Sequence, residues 1–525
     1  MDNKTQRHWK AEPVQGPVDE TIAWGSDIPA ALLRRMGITH IALTPGASYR
    51  GFHDSLVNHL GNAAPEIIMC THEEHAIAVA HGFAKVTGRA MAVAVHSNVG
   101  LKHASMAIFN AFCDRVPMLI LGATGPMDAA ERRPWIDWLH TAQDQAALVR
   151  AFLKWDDQPG SVAAIPEAML RGWKIANTMP CGPVYINLDA GDQETPLESP
   201  PALPDPSRFA ALPQAGPNPA ALKAAAGALR HAKHPVILFG RGARTTEAMA
   251  ARVALAERTG AAMLSDLKAG AMVPTDHPNH IGQPFNRVHG AGKAVLERAD
   301  VILSLGWIDL GGLFKQVFGA EPPNATILHA GLEHQLHSGW GQEHFALPPV
   351  DIDLNCSADA ATEALLAALP DGPARTLTRT PPEPKPETAI GVTVRDMARA
   401  LRDAVGDRPV TFPALARGWP VDLWPHHHPL DFLGKDGGGG VGSGPGLCIG
   451  AALALQGSGR LVIGTLWDGD TLMSINALWT AAKYRLPVMF LINNNRSYMN
   501  DELHQERVAL ARGRNPANAW VGQRL

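Results

Sequence analysis

Short apolar runs alternate with helically spaced segments along almost the whole chain. In the first third, strand-like runs such as ITHIAL, AMAVAV and VPMLILG are separated by helical patterns, for example over residues 72–86. The same alternation returns at HPVILFG and DVILSLG, and again at RLVIGTL and LPVMFLI. Strands that alternate with helices form parallel sheets in doubly wound α/β domains, which bind ligands at the carboxyl ends of their strands. The pattern therefore predicts an α/β fold with parallel sheets.

Two Pro-rich stretches interrupt this alternation, at residues 195–219 and 370–386. Neither has any periodicity, so both are predicted to be linkers. They leave three predicted domains, 20–194, 218–368 and 390–525.

The first and third blocks are related by a shift of 370 residues. The shift places Arg115 and Pro117 on Arg485 and Pro487, each pair followed by an apolar run. It also maps Leu525 onto position 155, before the helix and strand that close the first block. We therefore expect a duplicated doubly wound domain whose second copy is incomplete at its C-terminus.

The composition is that of a folded protein with a sizeable core. Of 525 residues, 46% are apolar and 18% are charged, which argues against disorder. Lys plus Arg number 46 and Asp plus Glu 50, for a net charge of −4, so no nucleic-acid or anionic membrane partner is expected. No apolar stretch suits a signal peptide or a membrane helix of ~18 residues. Five scattered cysteines are typical of a reduced, cytoplasmic protein.

Acidic and amide side chains follow two predicted strands near the end of the chain. Asp468-Gly469-Asp470 comes after LVIGTL, and Asn493-Asn494-Asn495 comes after VMFLI. If these parallel strands are adjacent, a carboxylate and an amide oxygen converge at their ends, and such oxygens suit Mg²⁺ or Ca²⁺. An EF-hand loop is excluded because its closing position would be Trp479. The alternative is that these residues only form turns.

A glycine-rich stretch, residues 437–444, precedes another predicted helix. Backbone N–H groups beside a helix N-terminus can bind an anion. A dinucleotide site is disfavoured because no clear strand precedes the glycines and no acidic residue stands ~20 positions further on. A diphosphate is therefore the favoured anion.

Two further candidates follow strands in the first block. Glu73 lies in His72-Glu73-Glu74-His75, where a helix is predicted to begin, and His96 follows AMAVAV. Each has a structural alternative, since a Glu in a first helical turn often only favours the helix dipole. A histidine at a strand end is as often structural as catalytic, although it can transfer protons near neutral pH.

Taken together, HEEHA with GFAKVTG, then DGD, ALWTAAKYRLPV and NNRSY, resemble the thiamine diphosphate (ThDP) enzymes of the acetolactate synthase, benzoylformate decarboxylase and pyruvate decarboxylase group. The resemblance runs from about residue 20 to the end. It implies a pyrimidine-binding first domain, a Rossmann-like central domain and a diphosphate-binding third domain. It also implies ThDP and Mg²⁺ as cofactors, a 2-oxo acid that is decarboxylated or joined to a second carbonyl compound, and a homodimer or homotetramer with active sites between subunits.

The resemblance further implies roles for individual residues. Glu73 would bond the aminopyrimidine ring, and His96 would transfer protons in the active site. Asp468, Asn495 and the Ser497 carbonyl would hold Mg²⁺. The other cofactor contacts implied are Gly440, Val441 as an apolar wedge, Gly442, Gly469 and Asp470.

Some residues depart from the pattern of that group. Trp467 stands where the group has Gly, and Ala47 stands where benzoylformate decarboxylase has a substrate-binding Ser. No second active-site His is evident around 307–314. Two alternatives therefore stay open: a flavin- or nucleotide-binding oxidoreductase that uses Gly240-Arg241-Gly242, and a ThDP-binding homologue with impaired catalysis.

Overall fold

Three parallel sheets succeed one another along the chain, as the alternating pattern predicts. The computed structural model of the protein describes residues 12–282, 288–336, 346–378, 391–435 and 437–525. The second predicted linker lies outside these ranges from residue 379 onward. So does residue 390, the predicted start of the third domain.

The first sheet has six parallel strands in the order β2-β1-β3-β4-β6-β5. Helices cover both of its faces, so its central strands read as unbroken apolar runs and all of Met91–Val95 is buried. The strands are β1 (His40–Leu43), β2 (Glu66–Met69), β3 (Met91–Val95), β4 (Met118–Thr124), β5 (Trp155–Asp157) and β6 (Pro183–Asp189). The helices are α1 (Asp27–Arg35), α2 (Arg50–Asp54), α3 (Glu73–Thr87), α4 (Ser97–Cys113), α5 (Asp137–His140), α6 (Ile165–Asn177) and α7 (Ala190–Gln193).

The central sheet has five parallel strands in the order β11-β10-β9-β7-β8, and it too has a buried apolar cluster on each face. Its strands are β7 (Pro235–Phe239), β8 (Ala262–Ser265), β9 (Val301–Leu305), β10 (Thr326–Ala330) and β11 (Ile352–Asp353). Its helices are α8 (Pro219–His231), α9 (Thr246–Thr259), α10 (Ala291–Glu297), α11 (Leu310–Phe318) and α12 (Ala358–Ala368).

The third sheet has three parallel strands among the described residues, in the order β12-β13-β14. They are β12 (Val410–Thr411), β13 (Leu461–Trp467) and β14 (Val488–Asn493), and β14 is only partly buried along its length. The helices are α13 (Val394–Val405), α14 (Gly444–Ala454), α15 (Asp468–Met473), α16 (Ala477–Lys483) and α17 (Met499–Ala511). None of the helices described is long and apolar enough to cross a membrane.

One apolar core joins the first and third domains. Val79 on α3 and Met91 on β3 belong to the same buried cluster as Ile449 on α14, Ala481 on α16 and Val462 on β13. The two domains thus share a core instead of merely touching, and this continuity brings the carboxyl ends of their sheets together.

Candidate functional site

Helices α3 and α14 cross in very close contact at the centre of this shared core. A Cβ atom at Gly82 would overlap the carbonyl of Leu447, and one at Gly450 would overlap the carbonyl of Val79. Only glycine at these two positions lets the backbones approach so closely. Helix α3, which begins at Glu73, therefore packs directly against α14, which follows the glycine-rich loop.

A second contact fixes the end of β2, just before the HEEH motif, on the third domain. The Met69 N–H donates to Tyr484 Oη at 2.8 Å, and Thr480 Oγ1 donates to the Met69 carbonyl at 3.1 Å. Thr71 Oγ1 donates to the Asn476 carbonyl at 3.2 Å. These bonds lie within one chain and tie the end of β2 to the third domain.

Glu73 is the first residue of α3, and its side chain is buried against α4. The preceding His72 is the N-cap in extended conformation, and its ring accepts a hydrogen bond from the Glu74 N–H. Glu73 Oε2 lies 3.1 Å from His103 Nδ1. A Cβ at Gly100 would lie 2.8 Å from Glu73 Oε1, so the glycine leaves room for the carboxylate.

Glu74, the neighbouring carboxylate, faces the third domain instead. Its Oε1 lies near Gly442 in the glycine-rich loop, and burial together with the charge of Asp470 raises the pKa of Glu74. Asp470 Oδ1 accepts a hydrogen bond of 2.7 Å from the Gly442 N–H. The HEEH motif, the glycine-rich loop and the DGD motif are thus brought together.

The ends of β13 and β14 bring the acidic and amide motifs together. The strands pair in parallel, with Trp467 opposite Asn493. Asp468 Oδ2 accepts from the Arg496 N–H at 2.5 Å, and Asp468 Oδ1 accepts from the Gly469 N–H at 3.0 Å. Each of these oxygens keeps a second lone pair, so the carboxylate is both oriented and able to ligate a cation.

The turn after β14 holds the remaining predicted cation ligands. Asn495 Oδ1 accepts from the Ser497 N–H at 3.0 Å, and the Ser497 hydroxyl donates to Glu502. Ser497 also pairs with Arg524 in a short antiparallel bridge, which ties the turn to the last residues of the chain. A Cβ at Gly469 would lie 2.5 Å from the Tyr498 ring, so a larger residue here would displace that ring.

The glycine-rich loop lies across α4 of the first domain. The Gly440 N–H donates to Asn110 Oδ1 at 3.3 Å, and Met106 on α4 is close to Gly440. Val441, the predicted apolar wedge, is 47% exposed. Gly442 has a φ of 108°, a left-handed value that favours glycine.

His96 lies at the end of β3 in a cluster that extends the site beyond the predicted residues. The Ser97 N–H donates to Ser48 Oγ at 3.2 Å, and Ser48 Oγ is hydrogen-bonded to His96 Nδ1 at 2.9 Å. The Ser48 hydroxyl can then donate to Nδ1, which places the proton of neutral His96 on Nε2. Ser97 itself has a φ of 43°, an unfavourable conformation for a serine.

A second histidine stands beside His96. The ring of His140, on α5, contacts His96 edge to face with centroids 4.7 Å apart. Burial, followed by the neighbouring His140, lowers the pKa of His96. The sequence carried a partial signal for this cluster, because Ser48 directly follows Ala47, but nothing in the pattern linked His140 to His96.

Sequence models of three consecutive enzyme domains match the chain in order. The thiamine pyrophosphate (TPP) enzyme N-terminal TPP binding domain matches residues 23–148, the central domain matches 222–335 and the C-terminal TPP binding domain matches 416–519. The chain belongs to the thiamine pyrophosphate enzyme family.

Relatives within this family carry two different activities in their names. An acetolactate synthase of Bacillus subtilis is 24% identical over 90% of this chain and 82% of its own length. A benzoylformate decarboxylase of Pseudomonas aeruginosa is 26% identical over 89% and 85%. The solved benzoylformate decarboxylase from Polynucleobacter necessarius superposes with a TM-score of 0.78 at 19% identity, covering 94% of this chain and 89% of that one. This last likeness confirms the three-sheet fold.

In the part of the chain that the structure describes, several side chains around Glu73 and His96 have buried polar atoms without a partner. Among the described residues, Tyr49 Oη, His75 Nδ1 and Thr44 Oγ1 are buried without a hydrogen-bond partner. Buried polar atoms are nearly always satisfied, so this part of the site fits a polar ligand or ordered water. The Tyr49 ring lies edge to face with His96 at 6.4 Å, and burial, with the charge of Glu73, raises the pKa of Tyr49.

A separate cavity of about 480 Å³ borders β1 and β2. Its lining includes His53, Val57, Ile67 and Met69, and none of the predicted site residues. Burial lowers the pKa of His53. The cavity is therefore distinct from the candidate site, although Met69 touches both the cavity and the contact with the third domain.

Proposed function

We propose that this protein is a ThDP- and Mg²⁺-dependent enzyme that cleaves a 2-oxo acid between its carboxylate and carbonyl carbons. CO₂ leaves, and the remaining fragment is either protonated or joined to a second carbonyl compound. One observation supports the proposal: α3, which begins at Glu73, packs against α14 of the third domain, and Glu74 lies near Gly442, whose N–H donates to Asp470 of the DGD motif.

The residues divide into two groups around the proposed cofactor. Asp468, Asn495 and the Ser497 carbonyl would hold Mg²⁺, because they offer the hard oxygen ligands that this ion prefers. The glycine-rich loop, including Gly440 and Gly442, would face the diphosphate together with Gly469 and Asp470.

Glu73 would hold the aminopyrimidine ring of the cofactor, and Val441 would be the apolar wedge against it. When bound, ThDP supplies the electron sink that decarboxylation requires, and the protein supplies orientation and proton transfer. The packing of Glu73 against Gly100 limits the access of water to its carboxylate.

His96 is the proposed proton donor and acceptor for the substrate. Because its pKa is lowered by burial, neutral His96 prevails near pH 7 and can accept a proton as well as return one. Ser48 orients the ring through Nδ1, and His140 stands at its edge as a second titratable group. Ser48 thus provides a hydroxyl beside the position where benzoylformate decarboxylase has a serine and this chain has Ala47.

The oxidoreductase alternative is not favoured by the central domain. At the carboxyl edge of its sheet, where a nucleotide would bind, Gly240 and Gly306 approach too closely for a Cβ. Arg241 and Arg115 both pair with Glu333 there, at 3.0 and 2.7 Å. The protein's own ion pairs therefore lie at the edge where a nucleotide would bind.

The impaired-homologue alternative rests on the altered turn at Asn98 and on Trp467, which stands where the group has a glycine. The backbone of Trp467 has a φ of −99° and a ψ of 156°, values that any residue adopts, so the tryptophan does not strain the turn before Asp468. This observation favours an active enzyme. A panel of pyruvate, benzoylformate and longer 2-oxo acids, assayed for CO₂ and for ligation products, separates decarboxylation from ligation and identifies the substrate.

Cofactor binding is tested by titrating the purified chain with ThDP, with and without Mg²⁺, and following tryptophan fluorescence or heat. We expect saturable binding that requires Mg²⁺ and is lost in Asp468→Ala. The matched control is Asp501→Ala, an exposed aspartate on α17 that should bind ThDP normally. Folded protein that shows no Mg²⁺-dependent binding would contradict the proposal.

A homo-oligomer remains a prediction from the resemblance, and a cytoplasmic location remains a prediction from the scattered cysteines. Light scattering at several protein concentrations, with and without cofactor, measures the oligomeric state directly.

A further inference from the structure

Three potential metal ligands converge at the start of α3. One nitrogen of His72, one nitrogen of His103 and one carboxylate oxygen of Glu73 all lie within 4.8 Å of one another. We propose that this triad binds a single divalent ion of the zinc type in the cofactor-free protein, and that the ion withholds Glu73 from the cofactor. The second half of this inference rests on the proposed function, and the first half does not.

The donor set is the one that zinc prefers when a coordination position is left open. Two imidazoles and a carboxylate bind Zn²⁺ at about 2.0–2.2 Å, and water takes the fourth position. Neighbouring ligand atoms on such a tetrahedral ion are about 3.3 Å apart. The observed separation of His103 Nδ1 and Glu73 Oε2 is 3.1 Å, so these two groups are already spaced as ligands of one ion.

His103 has the freedom to complete the site. Its side chain is 50% exposed, while that of Glu73 is 8% exposed. The His103 ring is stacked on His72 with centroids 4.8 Å apart and planes 20° from parallel. Stacked rings do not aim their nitrogens at a common point, so ligation requires the more exposed ring, His103, to turn.

His72 is the weakest of the three ligands. Its Nδ1 accepts a hydrogen bond of 3.2 Å from the Glu74 N–H as the N-cap of α3, and binding a metal gives up this bond. We therefore expect His103 and Glu73 to dominate the affinity and His72 to add to it.

Occupation of the triad has a direct consequence for the proposed reaction. A carboxylate oxygen bound to zinc is no longer free to bond a ring nitrogen of ThDP. Zinc and ThDP would then compete for the protein, although the proposed Mg²⁺ ligands lie elsewhere, on the third domain.

Cobalt provides a spectroscopic test on the full-length, cofactor-free chain. We expect Co²⁺ to produce the visible absorption of a tetrahedral site at one ion per chain, and Zn²⁺ to abolish it. His103→Asn should weaken Co²⁺ binding by at least about tenfold, and His72→Asn should weaken it less. The matched control is His504→Asn, an exposed histidine on α17, which should leave the titration unchanged.

The outcomes separate this inference from the proposed function. If His103→Asn and the fold-preserving alternative His103→Gln both titrate like the original chain, the triad is not the site. If the cobalt site forms but saturating Zn²⁺ leaves the ThDP affinity unchanged, the competition is refuted. If ThDP fails to bind even in zinc-free protein, the proposed function fails while the cobalt result stands on its own.

Discussion

Adjacent glutamates with the same chemistry have different surroundings in this protein. Glu73 points to α4 and His103, whereas Glu74 points to Gly442 and Asp470 of the third domain. Successive residues on a helix are about 100° apart, so both cannot face the same neighbour. The HEEH motif predicts both carboxylates at the start of α3. The difference between their surroundings follows only from the packing of the helices.

This difference makes Glu74→Gln the matched control for Glu73→Gln. We expect Glu73→Gln to slow exchange of the acidic ring proton of bound ThDP by about 10²–10⁴-fold, the usual range for removing a proton-transfer group. Glu74→Gln should change this rate little, since its side chain faces the diphosphate side. Exchange is measured by NMR after transfer to deuterated buffer, and circular dichroism checks the fold. Unchanged exchange in Glu73→Gln would show that the role is misassigned.

At the scale of elements, the contact of α3 with α14 is what assembles the site. Its closeness depends on glycine, since added Cβ atoms would meet backbone carbonyls, which cannot rotate away as side chains can. The contact therefore joins two domains through helix backbones and not through long side chains. A substitution here should affect cofactor binding and stability together.

Gly82→Val tests this coupling. We expect a loss of about 1–3 kcal/mol in the free energy of unfolding, typical of overpacking, and a weaker affinity for ThDP. Gly227→Ala on α8 is the control, because a Cβ there meets no atom within 4 Å. It should stabilise the protein by about 0.5–1 kcal/mol, the cost of a glycine in a helix. Urea unfolding and ThDP titration provide both readouts, and an undisturbed Gly82→Val would refute the argument.

Local patterns predicted the elements well but could not predict how distant segments meet. Apolar runs revealed the buried strands, and the positions of Asp468, Glu73 and His96 at strand ends followed from the alternation. The 370-residue shift is imperfect, because α4 is continuous where its counterpart is divided into α15 and α16. The contact of His140 with His96 depends on how the segment after β4 folds back, which has no periodic signal.

At the scale of the whole molecule, a buried histidine lies at the contact between the central and third domains. The His426 N–H donates to Thr275 Oγ1 at 2.9 Å, and the Thr275 N–H donates to the His426 carbonyl at 3.0 Å. The His426 ring stacks on Phe432 and is fully buried, and burial lowers its pKa to about 4. This junction thus contains a histidine that must stay neutral for the domains to remain docked.

Stability should therefore fall as the pH drops from about 6.5 to about 4. In this window the histidine of the unfolded chain, with a pKa of about 6.5, binds a proton, whereas buried His426 stays neutral. The stabilising contribution of neutral His426 is therefore fully present above about pH 6.5 and is lost towards about pH 4. The shift corresponds to roughly 3 kcal/mol at most. In His426→Leu the loss of stability over this pH range should be smaller. In His427→Leu, where the substituted histidine pairs with Asp276 at the surface, the loss should be unchanged. Urea unfolding midpoints are measured at pH 8 and pH 5. An equal change of midpoint in all three proteins would contradict this prediction.

The left-handed backbone of Ser97 has an implication for how this protein can be improved. A serine with φ of 43° stores strain of about 1–3 kcal/mol, and Ser97→Gly would release part of it. The same turn, however, donates the N–H that orients Ser48 and, through it, His96. Selection for heat resistance alone would favour Ser97→Gly, because this substitution would raise the melting temperature. The more flexible glycine would hold Ser48, and through it His96, less firmly. A screen for stability alone would therefore select variants with a less well oriented His96.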